Sequence, residues 1–290
     1  MRRLSLRTLG HLPHSVHSGL DPRGLGIGIV HLGIGGFHRA HQAVFTEDAM
    51  LATGETGWAV SAVTQRGPAV RDRLAPQDGL YTVATRGRSE SGYRVVTTVR
   101  EVLDGPSEAD AVLDRLADPA VSVVTLTVTE KAYRLDPAQR GLDLTDPDVR
   151  DDAAGAPPRT VVGRLVQGLH RRQARDAAPL TVLCCDNLTD NGGLLRRAVL
   201  DFCTLLRGGD ATAAWIDEHV AFPSTMVAGS SRPPRRPTSP TSRPRWACAT
   251  TRRWWPSRSG SGSSRTTSVR PGPGGSGQGR CWCPTRGRTS

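Results

Sequence analysis

Two glycines that follow a β-branched run are the first residues of this 290-residue chain whose type and spacing could do chemistry. Gly33 and Gly35 come directly after Ile27, Ile29, Val30 and Leu32, and residues of helical composition continue through about Ala52. A strand, a Gly-x-Gly turn and a helix can cradle a pyrophosphate. The glycines let the backbone turn tightly and approach the phosphates, and the helix N-terminus faces their charge. The general fingerprint has a third glycine where this chain has His38, so spacing alone leaves a ligand-free glycine loop as an equal reading. A second candidate lies at the end of the apolar run 121–128, where Thr129 and Glu130 follow. Ligands of open α/β sheets bind at the carboxyl ends of strands, which places these two beside the nicotinamide-side ribose of a dinucleotide. Glu130 paired at the surface with Lys131, the only lysine of the chain, is the alternative. A third candidate is the end of residues 58–64, where NAD sites of this type carry an acidic residue for the ribose hydroxyls. Here stand Gln65 and Arg66, with no Asp or Glu before Asp72. Arg66 facing a 2′-phosphate would favour NADP and Arg66 as a solvated surface cation would not, so the choice between NAD and NADP stays open.

Such residues converge only if strands deliver them to one edge of a sheet. Residues 58–64 form a near-continuous apolar run, expected of a parallel strand buried on both faces. Residues 81–85 and 93–99 are expected as strands joined by a turn over 87–92, and 121–128 as the third buried strand. Ala111, Val112 and Leu116 stand at helical spacing within 107–116, with Ser107 and Glu108 as N-terminal cap and dipole partner. Residues 134–158, with Pro137, Pro147, Pro157 and Pro158, read as a long polar excursion. Residues 160–172 are amphipathic, 180–185 read as another buried strand, and 193–206 as another helix. Strands alternating with helices imply an α/β fold with a Rossmann-like, doubly wound and mostly parallel sheet. The expected division is a loop-like lead-in over 1–24, a nucleotide-binding domain over 25–227 and a tail over 228–290.

The string Gly33-Ile34-Gly35-Gly36-Phe37-His38-Arg39-Ala40-His41-Gln42 resembles the N-terminal signature of the mannitol dehydrogenase family, the polyol-specific long-chain dehydrogenases. Gln77-Asp78-Gly79-Leu80-Tyr81-Thr82, Thr127-Val128-Thr129-Glu130-Lys131-Ala132-Tyr133, Cys185-Asp186-Asn187-Leu188-Thr189-Asp190-Asn191-Gly192 and Ala221-Phe222-Pro223-Ser224-Thr225-Met226-Val227 resemble further motifs of that family, in the same order. The resemblance implies hydride transfer between NAD or NADP and the CH–OH of a sugar alcohol or hexuronate. It implies cofactor-side roles for Gly33, Gly35, Phe37, His38 and Arg39, beside Arg66, Thr129 and Glu130. The family's base is a Lys-x-x-x-x-Asn-x-x-His cluster on a helix of a C-terminal domain, and the Asn of the Cys-Asp-Asn motif supplies an amide to the reacting oxygen. That amide maps onto Asn187, which also reads as a turn-former after a strand. No Lys-x-x-x-x-Asn-x-x-His occurs in these 290 residues.

Composition bounds the remaining classes. There is no run of 18 apolar residues and no apolar core behind the basic N-terminus, so neither a membrane partner nor a secretory signal is expected. Six scattered cysteines form no metal-ligand pattern, and a reducing cytoplasm is the expected location. The net charge of +11 is concentrated in 228–290, which hold 13 arginines and no Asp or Glu; without them, 25 basic residues face 27 acidic ones. The same 63 residues contain no Leu, Ile, Phe or Met and a single valine, Val269. A segment so poor in apolar surface is expected to be disordered. Nucleic-acid binding through its arginines is the weaker alternative. An out-of-frame translation explains it better. Written in GC-rich codons, residues 227–235 become Val-Asp-Arg-Ile-Val-Pro-Ala-Thr-Thr on insertion of one base, which is a family-like continuation. On that reading the substrate domain and its catalytic lysine are lost and turnover is impaired.

Overall fold

The computed structural model describes residues 3–13, 16–86, 91–136, 138 and 141–226, and the backbone of 231–232 and 255–256. Along the chain run β1 (Val16–Ser18), β2 (Ile27–Leu32), α1 (Ala43–Thr53), β3 (Ala59–Thr64), α2 (Arg71–Leu74), β4 (Tyr81–Arg86), β5 (Ser91–Val96) and β6 (Val99–Asp104). Then follow α3 (Ala109–Leu116), β7 (Val123–Leu126), α4 (Pro147–Ala153), α5 (Val161–Ala174), β8 (Leu180–Cys184), α6 (Asn191–Cys203), α7 (Gly209–His219) and β9 (Val220–Ala221). Ser231–Arg232 (β10) and Trp255–Pro256 (β11) pair antiparallel; the rest of the expected disordered tail lies outside the described residues.

Six strands form one parallel sheet in the order β6-β3-β2-β7-β8-β9. The chain winds outward from β2 through β3 to β6, then returns to the other side of β2 as β7. The topological switch point therefore lies between β2 and β7, where doubly wound sheets open a crevice at their carboxyl edge. Burial on both faces explains the apolar runs of β2, β3 and β7. In β2, Val30 and Leu32 enter the core under α3, α5 and α6, while Ile29 faces the α1 side with Met50, Trp58 and Leu74. His31 shares that second face, fully buried. Among the described residues no helix is long and apolar enough to cross a membrane.

The strand expected over 93–99 is two strands in two sheets. β5 pairs with β1 and β4 in a separate three-stranded sheet, and β6 belongs to the main one. The break is fixed by Glu47 of α1, which is wholly buried and accepts bonds from Thr97 N at 2.6 Å, Thr97 Oγ1 at 3.0 Å and Thr98 Oγ1 at 3.0 Å. Consequently β6 is the third strand of the parallel set, and the run 121–128 is the fourth. The lead-in is also more than a loop: β1 lies within it, and Leu4 and Val16 close a small core with Leu80 and Val95. At α3 the expected Ser107 cap is not made. Ser107 Oγ donates to Asp104 at 2.5 Å, and the Glu108 carboxylate accepts from Asp104 N at 2.7 Å, so these groups secure the β6–α3 turn instead. The polar excursion 134–158 contains α4, capped by Asp146, whose carboxylate accepts from Asp148 N and Val149 N.

Candidate cofactor and active site

At the switch point β2 ends in the glycine turn. Gly33 adopts φ +106°, and a Cβ there would collide with the Thr127 carbonyl at the end of β7, so only glycine fits. The turn hangs on the neighbouring strand through Gly33 N–H and Ile34 N–H, which both donate to the Val63 carbonyl, at 2.9 and 3.3 Å. Gly35 differs: a Cβ there meets only the Gly33 carbonyl oxygen, at 3.6 Å, and the residue is exposed. The space beside Gly35 is thus open to a ligand. A helical segment begins at Gly36, is π-helical over His38–Gln42, and continues as α1. Its N-terminus meets a 270 Å³ cavity lined by Gly35, Gly36 and Phe37 on one bank and by Thr127, Val128, Asp186, Asn187, Thr225 and Met226 around the rest.

The far bank is built by two of the sequence motifs locking together. Asn191, in the first turn of α6, donates from Nδ2 to the carbonyls of Asp186 at 3.0 Å and Thr225 at 2.9 Å, while its Oδ1 accepts from Thr225 N at 2.9 Å. Gly192 has no room for a Cβ because the Phe222–Ser224 backbone passes directly over it. Thr225 Oγ1 donates to the Cys184 carbonyl at 2.5 Å. Asp186 Oδ2 accepts from Tyr133 Oη at 2.6 Å and from Val128 N at 3.0 Å, joining the ends of β7 and β8. Burial raises the Asp186 carboxyl above the ordinary carboxylate range, an effect the Tyr133 and Val128 donors partly offset. Burial likewise pushes the Cys185 thiol up to about 12, so it is neutral at physiological pH. Asp186, Asn191 and Thr225 all lie inside the motifs that carry the resemblance; that all three act as clamps follows only from packing.

Asn187, exposed at the tip of this loop, borders the small cavity and also an adjoining cleft of 870 Å³. Glu130 and Lys131 line the larger cleft with Arg134, Asp136, Asp143 and Asp146. Gly35, Phe37 and Asn187 therefore come together, and Glu130 meets them only across Asn187. Thr129 is exposed and begins the 3₁₀ turn Glu130–Tyr133. Glu130 and Lys131 form no ion pair with each other, so the alternative of a surface pair is not made. Arg66 is exposed just past β3. Its neighbour Gln65 is taken up by Arg164, whose Nη1 donates to Gln65 Oε1 at 2.5 Å.

One expected cofactor contact changes character. His38 is completely buried, so its side chain cannot touch a ligand in the crevice. Its ring instead stacks on His31 at a centroid separation of 3.6 Å and 12° between planes. Where the general fingerprint uses glycine to bring helix and strand close, this chain fills the contact with two stacked imidazoles. Burial lowers both rings, His38 to about 4, and they are neutral at physiological pH. Arg39 is half-buried, and its carbonyl accepts from Tyr81 Oη at 2.8 Å, a backbone contact that ties the helix start to the second sheet.

The profile of the mannitol dehydrogenase Rossmann domain matches residues 27–229. An uncharacterised oxidoreductase of Escherichia coli, YeiQ, is 38% identical over 220 residues, covering 74% of this chain and 44% of that protein. The mannitol 2-dehydrogenase of Pyrenophora tritici-repentis is 38% identical over 203 residues, 69% of this chain and 36% of the relative. In three dimensions the chain superposes on Pseudomonas fluorescens mannitol 2-dehydrogenase, solved as a ternary complex with NAD and D-mannitol, with a TM-score of 0.74 and 33% identity over 79% of this chain and 47% of that one. The chain spans less than half the length of these relatives. Through its Rossmann domain, the chain belongs to the mannitol dehydrogenase family.

Proposed function

We propose that the chain binds NAD at the crevice between β2 and β7, as the cofactor half of an oxidoreductase acting on the CH–OH of a sugar alcohol or hexuronate. The observation that carries this is the convergence of an open Gly35, a helix N-terminus and Asn187 on one cavity at the switch point. The NAD and D-mannitol of the Pseudomonas fluorescens complex support it. When bound, the cofactor takes up or gives a hydride at its nicotinamide ring. The chain's own residues do the rest of this half-site. The Gly33–Gly35 turn and the N–H groups after it face the pyrophosphate, with Phe37 walling the cavity. Thr129 and Glu130, at the carboxyl end of β7, would hold the nicotinamide-side ribose. Asn187 offers its side-chain N–H to the oxygen that changes between hydroxyl and carbonyl, a donor aimed where charge develops. A base must take the hydroxyl proton, and no Lys-x-x-x-x-Asn-x-x-His cluster is present to supply it. We therefore assign to this chain cofactor binding with little or no polyol turnover.

NADP is the second reading, favoured by the exposed Arg66 where an acidic residue would stand in an NAD site. Titration of NAD and NADP into the 290-residue chain, with turnover assays on mannitol, sorbitol and hexuronates, tests both. Binding without turnover is expected. Absence of dinucleotide binding, or turnover comparable with the two-domain relatives, would overturn the proposal. Replacement of Arg66 by Glu should weaken NADP while leaving NAD unaffected if the second reading holds.

A further inference from the structure

Beneath the glycine turn, three side chains and one carbonyl form a directed series of hydrogen bonds. Thr125 Oγ1 lies 2.7 Å from His31 Nδ1. His31 Nε2 lies 2.9 Å from Thr127 Oγ1 and 3.1 Å from the Gly33 carbonyl oxygen. The Thr127 hydroxyl donates to that same carbonyl at 2.9 Å. The carbonyl sets the direction. It can only accept, so the imidazole nitrogen beside it must carry the proton; a bare Nε2 would set lone pair against lone pair. Nδ1 is then the acceptor, and Thr125 donates to it.

His31 belongs to β2 and both threonines to β7 and its end, so the series crosses the switch point and spans the two banks of the crevice. We infer that His31, acting through Thr127, is a positioning residue that sets the Gly33 carbonyl, with it the Gly35 backbone, and so the direction in which the helix N-terminus after Gly35 presents itself to a pyrophosphate. This rests on the dinucleotide reading of the crevice. The Gly35 N–H itself closes onto the Gly33 carbonyl at 2.5 Å, so any loosening of that carbonyl reaches Gly35 directly. His38 forms the back wall. Its ring lies flat on His31, and its Nδ1 is held by Gln42 Oε1 at 3.1 Å, while its Nε2 has no partner among the described residues. An apolar side chain at position 31 would fill the same space without the cost of burying an imidazole. What only the imidazole supplies is the bond to Thr127 and to the Gly33 carbonyl.

The test combines ring-nitrogen NMR of the full chain with dinucleotide titrations of two variants, Thr127→Val and Thr127→Ser. His31 is expected as the Nε2–H tautomer, and Thr127→Val, nearly isosteric, is expected to speed hydrogen exchange at the Gly35 amide. It should also weaken NAD binding about tenfold, the worth of a hydrogen bond, at temperatures well below melting. Thr127→Ser, which keeps the hydroxyl, should restore both. A His31 Nδ1–H tautomer, or a Thr127→Val protein that binds NAD and exchanges Gly35 like the parent, would overturn the inference. If the parent chain binds no NAD, the dinucleotide reading fails by itself, while the tautomer and the Gly35 exchange rate still decide whether the series holds the turn.

Discussion

A methyl group added at Gly33 would meet the Thr127 carbonyl in a backbone conformation of φ +106°, whereas one added at Gly35 meets nothing closer than 3.6 Å. The two glycines of one motif should therefore fail in different ways. Gly33→Ala is expected to lower stability by about 2–4 kcal/mol through strain and overlap, read as a shifted urea midpoint. Gly35→Ala should leave that midpoint within about 1 kcal/mol of the parent and instead abolish dinucleotide binding, because its methyl group enters ligand space. Equal urea midpoints for both variants would contradict this division. A second prediction concerns His38, held at about 4 by burial. Its folded value lies below the unfolded one of 6.5, so the unfolded chain binds the extra proton and stability falls as pH drops from about 6.5 towards 4. The full loss is about 3 kcal/mol, with His31 acting in the same direction. Asp152 and Asp186, both raised by burial, oppose it as the pH approaches their ordinary range. Urea unfolding between pH 7 and 4.5 measures the slope, and His38→Phe, which keeps a stacked ring, should reduce it.

Helices and strands were legible in proportion to how far local pattern alone determines them. The continuous apolar strands β2, β3 and β7 announce themselves because they are buried on both faces. The split between β5 and β6 did not, because it is made by Glu47, about fifty residues earlier in the chain, reaching the Thr97–Thr98 backbone and side chains. The glycine turn and Asn187 could be read from residue order, whereas the seclusion of His38 depends on a ring in another element. Arg172 is a further case. Within an amphipathic helix pattern it reads as a solvated face, yet it is wholly buried at the end of α5. Its Nε donates to Ala178 O at 2.8 Å, Nη1 to Leu116 O at 3.2 Å and Asp118 O at 2.8 Å, and Nη2 to Val121 O at 2.9 Å. One guanidinium thus closes the end of α3 and both approaches to β7 and β8. Arg172→Met fills the space but leaves four carbonyls without that donor, and should cost about 2–4 kcal/mol. Hydrogen exchange should show the loosening first at residues 116–122, since three of the four carbonyls belong to the segment that enters β7.

For the molecule as a whole, three boundaries fall together. The Rossmann-domain profile ends at residue 229, Leu, Ile, Phe and Met cease after Met226 with Val269 the one valine after Val227, and every acidic residue of the chain lies before that point. A shift of reading frame would account for the loss of aliphatic and of acidic residues at one point of the chain, and that is the proposal to be tested. Asn191 and Gly192 hold the Phe222–Thr225 segment in place, and Met226 after it is exposed beside the small cavity. Resequencing the gene across the codons for Met226 to Arg232 is expected to show one further base, and the corrected chain should continue as Val-Asp-Arg-Ile-Val-Pro. Expressed with that base, it should gain polyol turnover while keeping the same dinucleotide affinity, because the lining of the crevice between β2 and β7 among the described residues lies before residue 227. Expressed as the 290-residue chain, it should retain affinity alone. If the codons read as given and the chain nonetheless turns over polyols at the rate of its two-domain relatives, then the base lies within these 290 residues, and Lys131, which shares the larger cleft with Asn187, is the residue to mutate.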